Sequence, residues 1–138
     1  MPGLLEPFLG YTSYLGLFLR VLVGISLMIH GYPKLKSKDA SVNWMKSLGM
    51  PGGTAVMSAI LEFFGGVLLV GGFIVPIMSL FFAIQFASIV IVKKTKMKAA
   101  FIAPGKPSYE IDVTYFLLSI VLLVLGSGAL SIDGLIGL

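Results

Sequence analysis

Hydrophobic residues fall in four long runs, separated by short segments that contain proline, glycine or lysine. A bilayer core is crossed by about 20 mostly apolar residues in a helix. The runs predict membrane-spanning helices at about 14–31, 54–73, 76–92 and 109–126. Pro33 follows the first run, and we expect that helix to end before it because a proline ring disrupts a continuing helix. The pattern predicts an all-α, integral membrane four-helix bundle that forms a single domain over residues 1–138.

The segment between the first two runs has a pattern of its own. Residues 41–50 are too few to cross a bilayer, but Val42, Met45 and Leu48 recur at helical spacing with Trp44 beside them. This pattern is typical of an amphipathic helix in the headgroup layer. We therefore predict a short interfacial helix between helices one and two, and leave open whether Trp44 is a simple anchor or part of a lid.

Composition supports the membrane assignment and limits the chemistry. Hydrophobic residues make up 57% of the chain and charged residues 12%, and the mean hydropathy is +1.02. A soluble domain of this length needs more polar surface. The chain has no cysteine and a single histidine, His30, so it predicts no iron–sulfur cluster, no bis-histidine haem and no other metal site of its own. Any redox cofactor is then diffusible or held by another chain.

The distribution of lysine predicts the orientation. All nine lysines lie in the two segments that precede helices two and four, which an even alternation of loops places on one side of the membrane. The positive-inside rule makes that side cytoplasmic and places both termini outside, as expected for a multi-pass protein of the cell membrane. The formal net charge of +4 does not indicate nucleic acid, because the lysines form no basic stripe on a soluble fold. Residues 1–13 contain no lysine or arginine, which disfavours a signal peptide.

Two charged residues, Arg20 and Glu62, lie well inside the apolar runs. Each costs on the order of 2.5–3.5 kcal/mol at a helix centre and should have a partner. Counting about 1.5 Å per residue from the lysine-rich end places Arg20 at roughly 16 Å and Glu62 at roughly 12 Å, near enough to pair. The same count places Gln85 and Tyr115 at about 9–11 Å. A structural ion pair and a ligand-binding or proton-relay role both remain open.

A second polar group is expected at the lysine-rich end, where His30, Lys34, Glu110 and Asp112 lie. Histidine titrates near neutral pH and could donate a hydrogen bond to a quinone carbonyl, although an interfacial histidine without such a role also fits. The two carboxylates lie in the first turn of helix four, where acidic side chains favour the positive end of the helix dipole.

An ordered set of short motifs resembles the DoxX/DoxD-like family of small four-helix membrane proteins. The motifs are Arg20 followed by residues 30–34 (HGYPK), residues 48–51 (LGMP), Glu62 with Gly65 and Gly66, and Glu110 before the closing segment 126–133 (GSGALSID). The resemblance covers nearly the whole chain. It implies a link to membrane oxidoreductase systems and makes Arg20, His30, Lys34, Glu62 and Glu110 the polar residues that fit the family pattern.

The resemblance and the polar residues together predict a membrane subunit of a quinone-linked oxidoreductase or respiratory complex. Arg20, His30, Glu62, Gln85 and Tyr115 are the expected contacts of a quinone or quinol head group, with His30, Glu62 and Tyr115 as the catalytic candidates. The expected partners are the lipid bilayer and other membrane subunits, with a homo-oligomer left open and no nucleic acid. The alternatives are a non-catalytic accessory or assembly subunit of a respiratory oxidase, and a small proton-coupled carrier.

Overall fold

The computed structural model describes residues 10–138, and this part of the chain folds into six helices. They are α1 (Thr12–Lys36), α2 (Lys38–Ser47), α3 (Gly53–Gly71), α4 (Val75–Thr95), α5 (Glu110–Leu125) and α6 (Ile132–Ile136). By length and composition, α1, α3 and α4 can each cross a membrane, whereas α5 has only 16 residues. The fold is therefore all-α, with three long apolar helices and three shorter ones, and it is that of a multi-pass membrane protein.

The end of α1 differs from the prediction, because the helix continues through Pro33 to Lys36. Proline removes one backbone hydrogen bond, but membrane helices tolerate it where neighbouring groups compensate. Here the loss falls in the last turns of the helix, and the Ser37 amide donates to the Pro33 carbonyl at 3.0 Å beyond it. The extra turn holds Lys34 on the helix, and that position determines its partner.

Helices α1 and α3 pack closely through glycine. A Cβ atom on Gly24 would lie 2.6 Å from the carbonyl oxygen of Gly66, and one on Gly31 would lie 2.7 Å from the backbone nitrogen of Phe63. Small residues allow this approach of two backbones, which is the usual way helices associate in a membrane. The two contacts fix the antiparallel register of α1 against α3.

The remaining helices complete the bundle. Gly72 ends α3 with a φ of 72°, a left-handed conformation that glycine adopts without strain, and α4 starts three residues later with Pro76 in its first turn. Helix α5 packs along α4. The buried core lies where these helices meet α1 and α3, and consists of Val23, Leu27, Leu69, Val75, Met78, Phe82, Phe86, Tyr115 and Leu122.

The outer faces of the bundle are apolar. Large side chains such as Phe18, Phe64 and Val124 are more than half exposed, as lipid-facing residues are. Helix α2 lies at the end where α1 and α4 end, and none of its residues is buried. It covers residues 38–47, slightly earlier than the predicted segment, and Trp44 on it is 46% exposed. Because most lysines lie at this end of the bundle, we call it the lysine-rich end.

Candidate functional site

The carboxylate of Glu62 is the most heavily hydrogen-bonded side chain inside the bundle. Glu62 is 1% exposed, and Lys34 donates to both of its oxygens at 2.8 and 2.7 Å. Gln85 donates to the same carboxylate at 2.8 Å and Ser58 at 3.1 Å. A buried charge is tolerated when it is paired and its lone pairs are satisfied. Three helices therefore meet around one neutralised carboxylate.

Arg20 and Glu62 do not pair, although the depth estimate placed them near enough to do so. Glu62 lies level with Gly31 on α1, since a Cβ on Gly31 would be 3.0 Å from the Glu62 Cβ. Arg20 is eleven residues earlier on the same helix, roughly 16 Å away along its axis. The depth estimate counted from residue 31 as the end of the first helix. Because α1 continues five residues further, to Lys36, Arg20 lies farther from the lysine-rich end than that count gave.

Arg20 instead lies towards the end of the bundle opposite the lysine-rich end, where it binds the segment after α5. Its guanidinium is 1% exposed and donates through Nη2 to the Leu130 carbonyl at 2.5 Å. A Cβ at Gly72 would overlap the guanidinium, so only glycine leaves room for it. Within residues 10–138, Nε and Nη1 of Arg20 have no hydrogen-bond partner, and Asp133 acts on the group electrostatically.

Asp133 in α6 caps the start of α4. Its carboxylate accepts hydrogen bonds from the backbone amides of Ile74 and Val75 at 2.8 and 3.2 Å, and from the Ser127 hydroxyl. Burial alone would raise its pKa, but these three donors and the positive charge of Arg20 outweigh burial, so the pKa lies below its ordinary value. This cluster ties the last segment of the chain to the α3–α4 turn.

His30 and Tyr115 meet on the other side of α1, beside α5. Their rings make an edge-on contact with centroids 5.7 Å apart, and the buried face of Tyr115 stacks on Phe86 at 4.9 Å. The Tyr115 hydroxyl shares a hydrogen bond with Ser26. These residues border a groove of about 370 Å³ between α1 and α5, which we call the α1–α5 groove. Its other lining residues are Leu19, Leu22, Val23, Ile111, Thr114 and Leu118.

The predicted polar group at the lysine-rich end separates into different contacts. Lys34 binds Glu62, whereas Asp112 accepts a hydrogen bond from Lys93 at 2.6 Å. His30 lies in the α1–α5 groove, and Glu110 is exposed at the first position of α5. Between the two ion pairs lies a cavity of about 230 Å³, here called the inner cavity.

Tyr115 lines the α1–α5 groove and is also influenced by two of the charged groups. It is on the same face of α5 as Asp112, three residues earlier, and both Glu62 and Asp112 act on it electrostatically. Of the five expected head-group contacts, the structure thus brings Glu62 together with Gln85 and His30 together with Tyr115, and places Arg20 apart from both pairs. In residues 10–138 no cluster of three or more His, Cys, Asp or Glu side chains could hold a metal ion.

Sequence reasoning missed three members of these sites: the pairing of Lys34 with Glu62, the pairing of Lys93 with Asp112, and Ser26. A signal for the first was present, because Lys34 continues the helical stripe of Gly24 and Gly31 once α1 is extended through Pro33. No local pattern marks Ser26 among the other residues of α1.

Comparison with known proteins identifies the family of the chain. The DoxX family model matches residues 15–94, which contain Arg20, His30, Lys34, Glu62 and Gln85. A protein of Bacillus subtilis (strain 168) named "Putative oxidoreductase CatD" is 32% identical over 117 residues, which cover 85% of this chain and 83% of that protein. No solved structure matches the chain. The family match spans more than half of the chain, and the chain therefore belongs to the DoxX family.

Proposed function

We propose that the chain is the membrane subunit of a quinone-linked oxidoreductase and that it binds the quinone head group in the α1–α5 groove. The observation that carries the proposal is the exposed ring of His30 beside Tyr115 in a mostly apolar groove on the surface of the bundle. Ionisable residues inside a membrane domain are costly, and they mark ligand or proton pathways more often than they serve packing alone. The oxidoreductase name of the Bacillus subtilis relative supports the reaction class.

The groove suits a molecule with an apolar tail and a polar ring. Leu19, Leu22 and Leu118 offer an apolar surface for the tail, and a ring nitrogen of His30 can donate to a quinone oxygen. A bound quinone accepts two electrons and two protons in its reduction to quinol. The electrons must come from a partner redox protein, because this chain has no cysteine and one histidine.

Tyr115 is the residue best placed to hold a proton for this reaction. Its hydroxyl contacts Ser26 at the groove, and the charges of Glu62 and Asp112 act on it. Tyr115 gives one proton to a quinone oxygen and regains one from solvent, which is ordinary general acid–base chemistry. In this proposal His30 and Tyr115 contact the head group, the charge of Glu62, which Gln85 holds by a hydrogen bond, acts on Tyr115, and Arg20 has no part in binding.

The proposal includes a topology. We take α5 as the fourth span; its 16 residues reach about 24 Å, and the apolar Leu130, Ile132, Leu135 and Ile136 beyond it lengthen the apolar surface. The lysine-rich end then faces the cytoplasm, α2 lies in the headgroup layer, and the segments before α1 and after α5 lie outside. In this proposal the protein resides and acts in the cell membrane.

Photolabelling tests the quinone site directly. The chain, purified with its native partners in mild detergent, is irradiated with an azidoquinone and the labelled peptides are identified by mass spectrometry. We expect labels on α1 and α5 at the groove, and we expect His30→Ala to lower them. Tyr32→Ala is the matched control, because Tyr32 is an exposed ring near the same level on another face of α1. Labelling that is equal in both variants would reject the groove.

A second function is favoured by one observation: in the part of the chain that the structure describes, the carboxylates of Glu62 and Asp112 are each paired with a lysine. Such internal neutralisation suits a non-catalytic accessory subunit that packs against larger subunits of a respiratory oxidase. Mass spectrometry of the proteins that co-purify from native membranes separates the two functions. Haem- or copper-bearing oxidase chains, together with no azidoquinone labelling of the groove, would favour the accessory role.

A further inference from the structure

The inner cavity is separate from the α1–α5 groove, and its volume limits the size of the molecule that it can hold. It measures about 230 Å³. An apolar cavity of about 150 Å³ accommodates benzene, whereas drug-sized ligands occupy about 300–1,000 Å³. The inner cavity therefore has room for one six-membered ring with one or two small substituents, and no room for a long tail.

The walls of the inner cavity are apolar on the sides that would face a ring. Trp44 and Met45 of α2 cover it from the lysine-rich end, and Ala55, Ile89 and Val92 line it from α3 and α4. Aromatic and thioether side chains make favourable contacts with ring faces and edges. Trp44 is the single tryptophan of the chain, and at 46% exposure it lies where a ligand would enter.

The polar groups of the inner cavity are arranged in neutral pairs. Lys34 is bound to Glu62 at 2.7 Å and Lys93 to Asp112 at 2.6 Å, so neither lysine is free to bind an anion. An anionic or cationic ligand would have to break one of these pairs and leave a charge uncompensated, which is costly at a buried site. The charge pattern of the lining therefore favours an uncharged ligand.

Hydroxyl groups supply the hydrogen bonds that such a ligand needs. Ser41 of α2 lines the inner cavity, and its hydroxyl has no hydrogen-bond partner among residues 10–138. Ser58 also lines the inner cavity, where it donates to Glu62 and accepts from Gln85. A ligand hydroxyl can pair with Ser41 without disturbing the hydrogen bonds around Glu62.

We infer that the inner cavity binds a small, uncharged, single-ring hydroxyaromatic molecule that enters beneath α2 from the lysine-rich end. The ring packs against Trp44, and its hydroxyl pairs with Ser41. The inference does not depend on the quinone proposal, because the two sites have different residues and open on different sides of the bundle.

The test uses three fluorinated probes and fluorine NMR of the full chain in nanodiscs. The probes are 4-fluorophenol, fluorobenzene and 4-fluorobenzoate, which share one ring and differ in hydroxyl and charge. We expect saturable line broadening of 4-fluorophenol that excess unlabelled phenol reverses, weaker broadening of fluorobenzene, and none of 4-fluorobenzoate. Partitioning into lipid does not saturate and is thereby distinguished from binding.

Two variants and one control locate the binding. Ala55→Leu fills the inner cavity, and Trp44→Ala removes its aromatic wall from a helix that buries none of its residues. Each should weaken 4-fluorophenol binding about tenfold or more. Ala129→Leu makes the same change as Ala55→Leu at an exposed position at the far end, and should leave binding unchanged. The absence of saturable binding, equal binding in all variants, or tightest binding of 4-fluorobenzoate would each overturn the inference.

Discussion

Replacing Lys34 by methionine removes the cation that neutralises the buried carboxylate of Glu62. Removing one partner of a buried ion pair costs about 3–5 kcal/mol, because the other charge is left uncompensated. The Lys34 side chain is 41% exposed and that of Glu62 is 1% exposed, so water screens the pair from one side and the lower end applies. We expect Lys34→Met to lower the free energy of unfolding by about 3 kcal/mol.

The double variant separates the charge from the packing. Glu62→Gln keeps a side chain that can pair with Gln85 and Ser58 but carries no charge, so Lys34→Met combined with Glu62→Gln leaves no unpaired ion. Replacing both partners of a buried pair is nearly neutral, and the double variant should recover to within about 1 kcal/mol of the parent protein.

The measurement is reversible unfolding in mixed micelles of mild detergent and dodecyl sulfate, followed by far-ultraviolet circular dichroism. Lys36→Met is the matched control, since Lys36 lies half a turn further along α1, is exposed, and has its Nζ over the ring of Tyr32 at 6.0 Å from the centroid. Lys36→Met should lower the free energy of unfolding by no more than about 0.5 kcal/mol. A double variant as unstable as Lys34→Met would refute the reasoning, because the cost would then come from lost packing and not from an uncompensated carboxylate.

Three further predictions follow from other contacts. The pKa of Asp133 is lowered in the folded protein, so its charge stabilises the fold at pH values above its pKa in the unfolded chain. This stabilisation is lost as the pH falls through the lowered pKa. The thermal unfolding temperatures of Asp133→Asn and the parent protein should therefore differ most at neutral pH and converge in acid. Gly24→Ala places a Cβ 2.6 Å from the Gly66 carbonyl oxygen and should cost about 1–3 kcal/mol, whereas Gly16→Ala, with nothing within 4 Å, should be tolerated in the same unfolding assay. Tyr115→Phe should lower azidoquinone labelling while costing only about 1 kcal/mol of stability; undiminished labelling would remove Tyr115 from the quinone site.

The positions of the helices could be predicted because their signals are local. Apolar runs and the breaks between them lie next to each other in the sequence, and the observed ends of α3, α4 and α5 differ from the predicted ones by up to three residues. Pro33 was the exception. Its effect on a helix depends on what the neighbouring groups supply, and the sequence alone does not contain that information.

The contacts among polar side chains could be predicted only in part. They depend on the axial register of α1 against α3, which is fixed by the close approach of Gly24 to Gly66. In the sequence, only the glycines themselves indicate that register. Gln85 lies off the stripe of small residues on α4, which consists of Ser79, Ala83 and Ala87, yet its long side chain reaches Glu62 at 2.8 Å. A helical wheel gives the direction of the Cα–Cβ bond and underestimates the reach of such a side chain.

The cap that Asp133 places on α4 has a consequence for biosynthesis. Its hydrogen bonds join positions 59 and 58 residues apart in the chain, so the first amides of α4 lack these acceptors while the ribosome is still adding α5. The α3–α4 hairpin therefore enters the bilayer with its turn unfinished, and that turn closes only after the last segment has been translated. In a nascent chain stopped before residue 126, Arg20 would likewise lack the Leu130 carbonyl that receives its hydrogen bond.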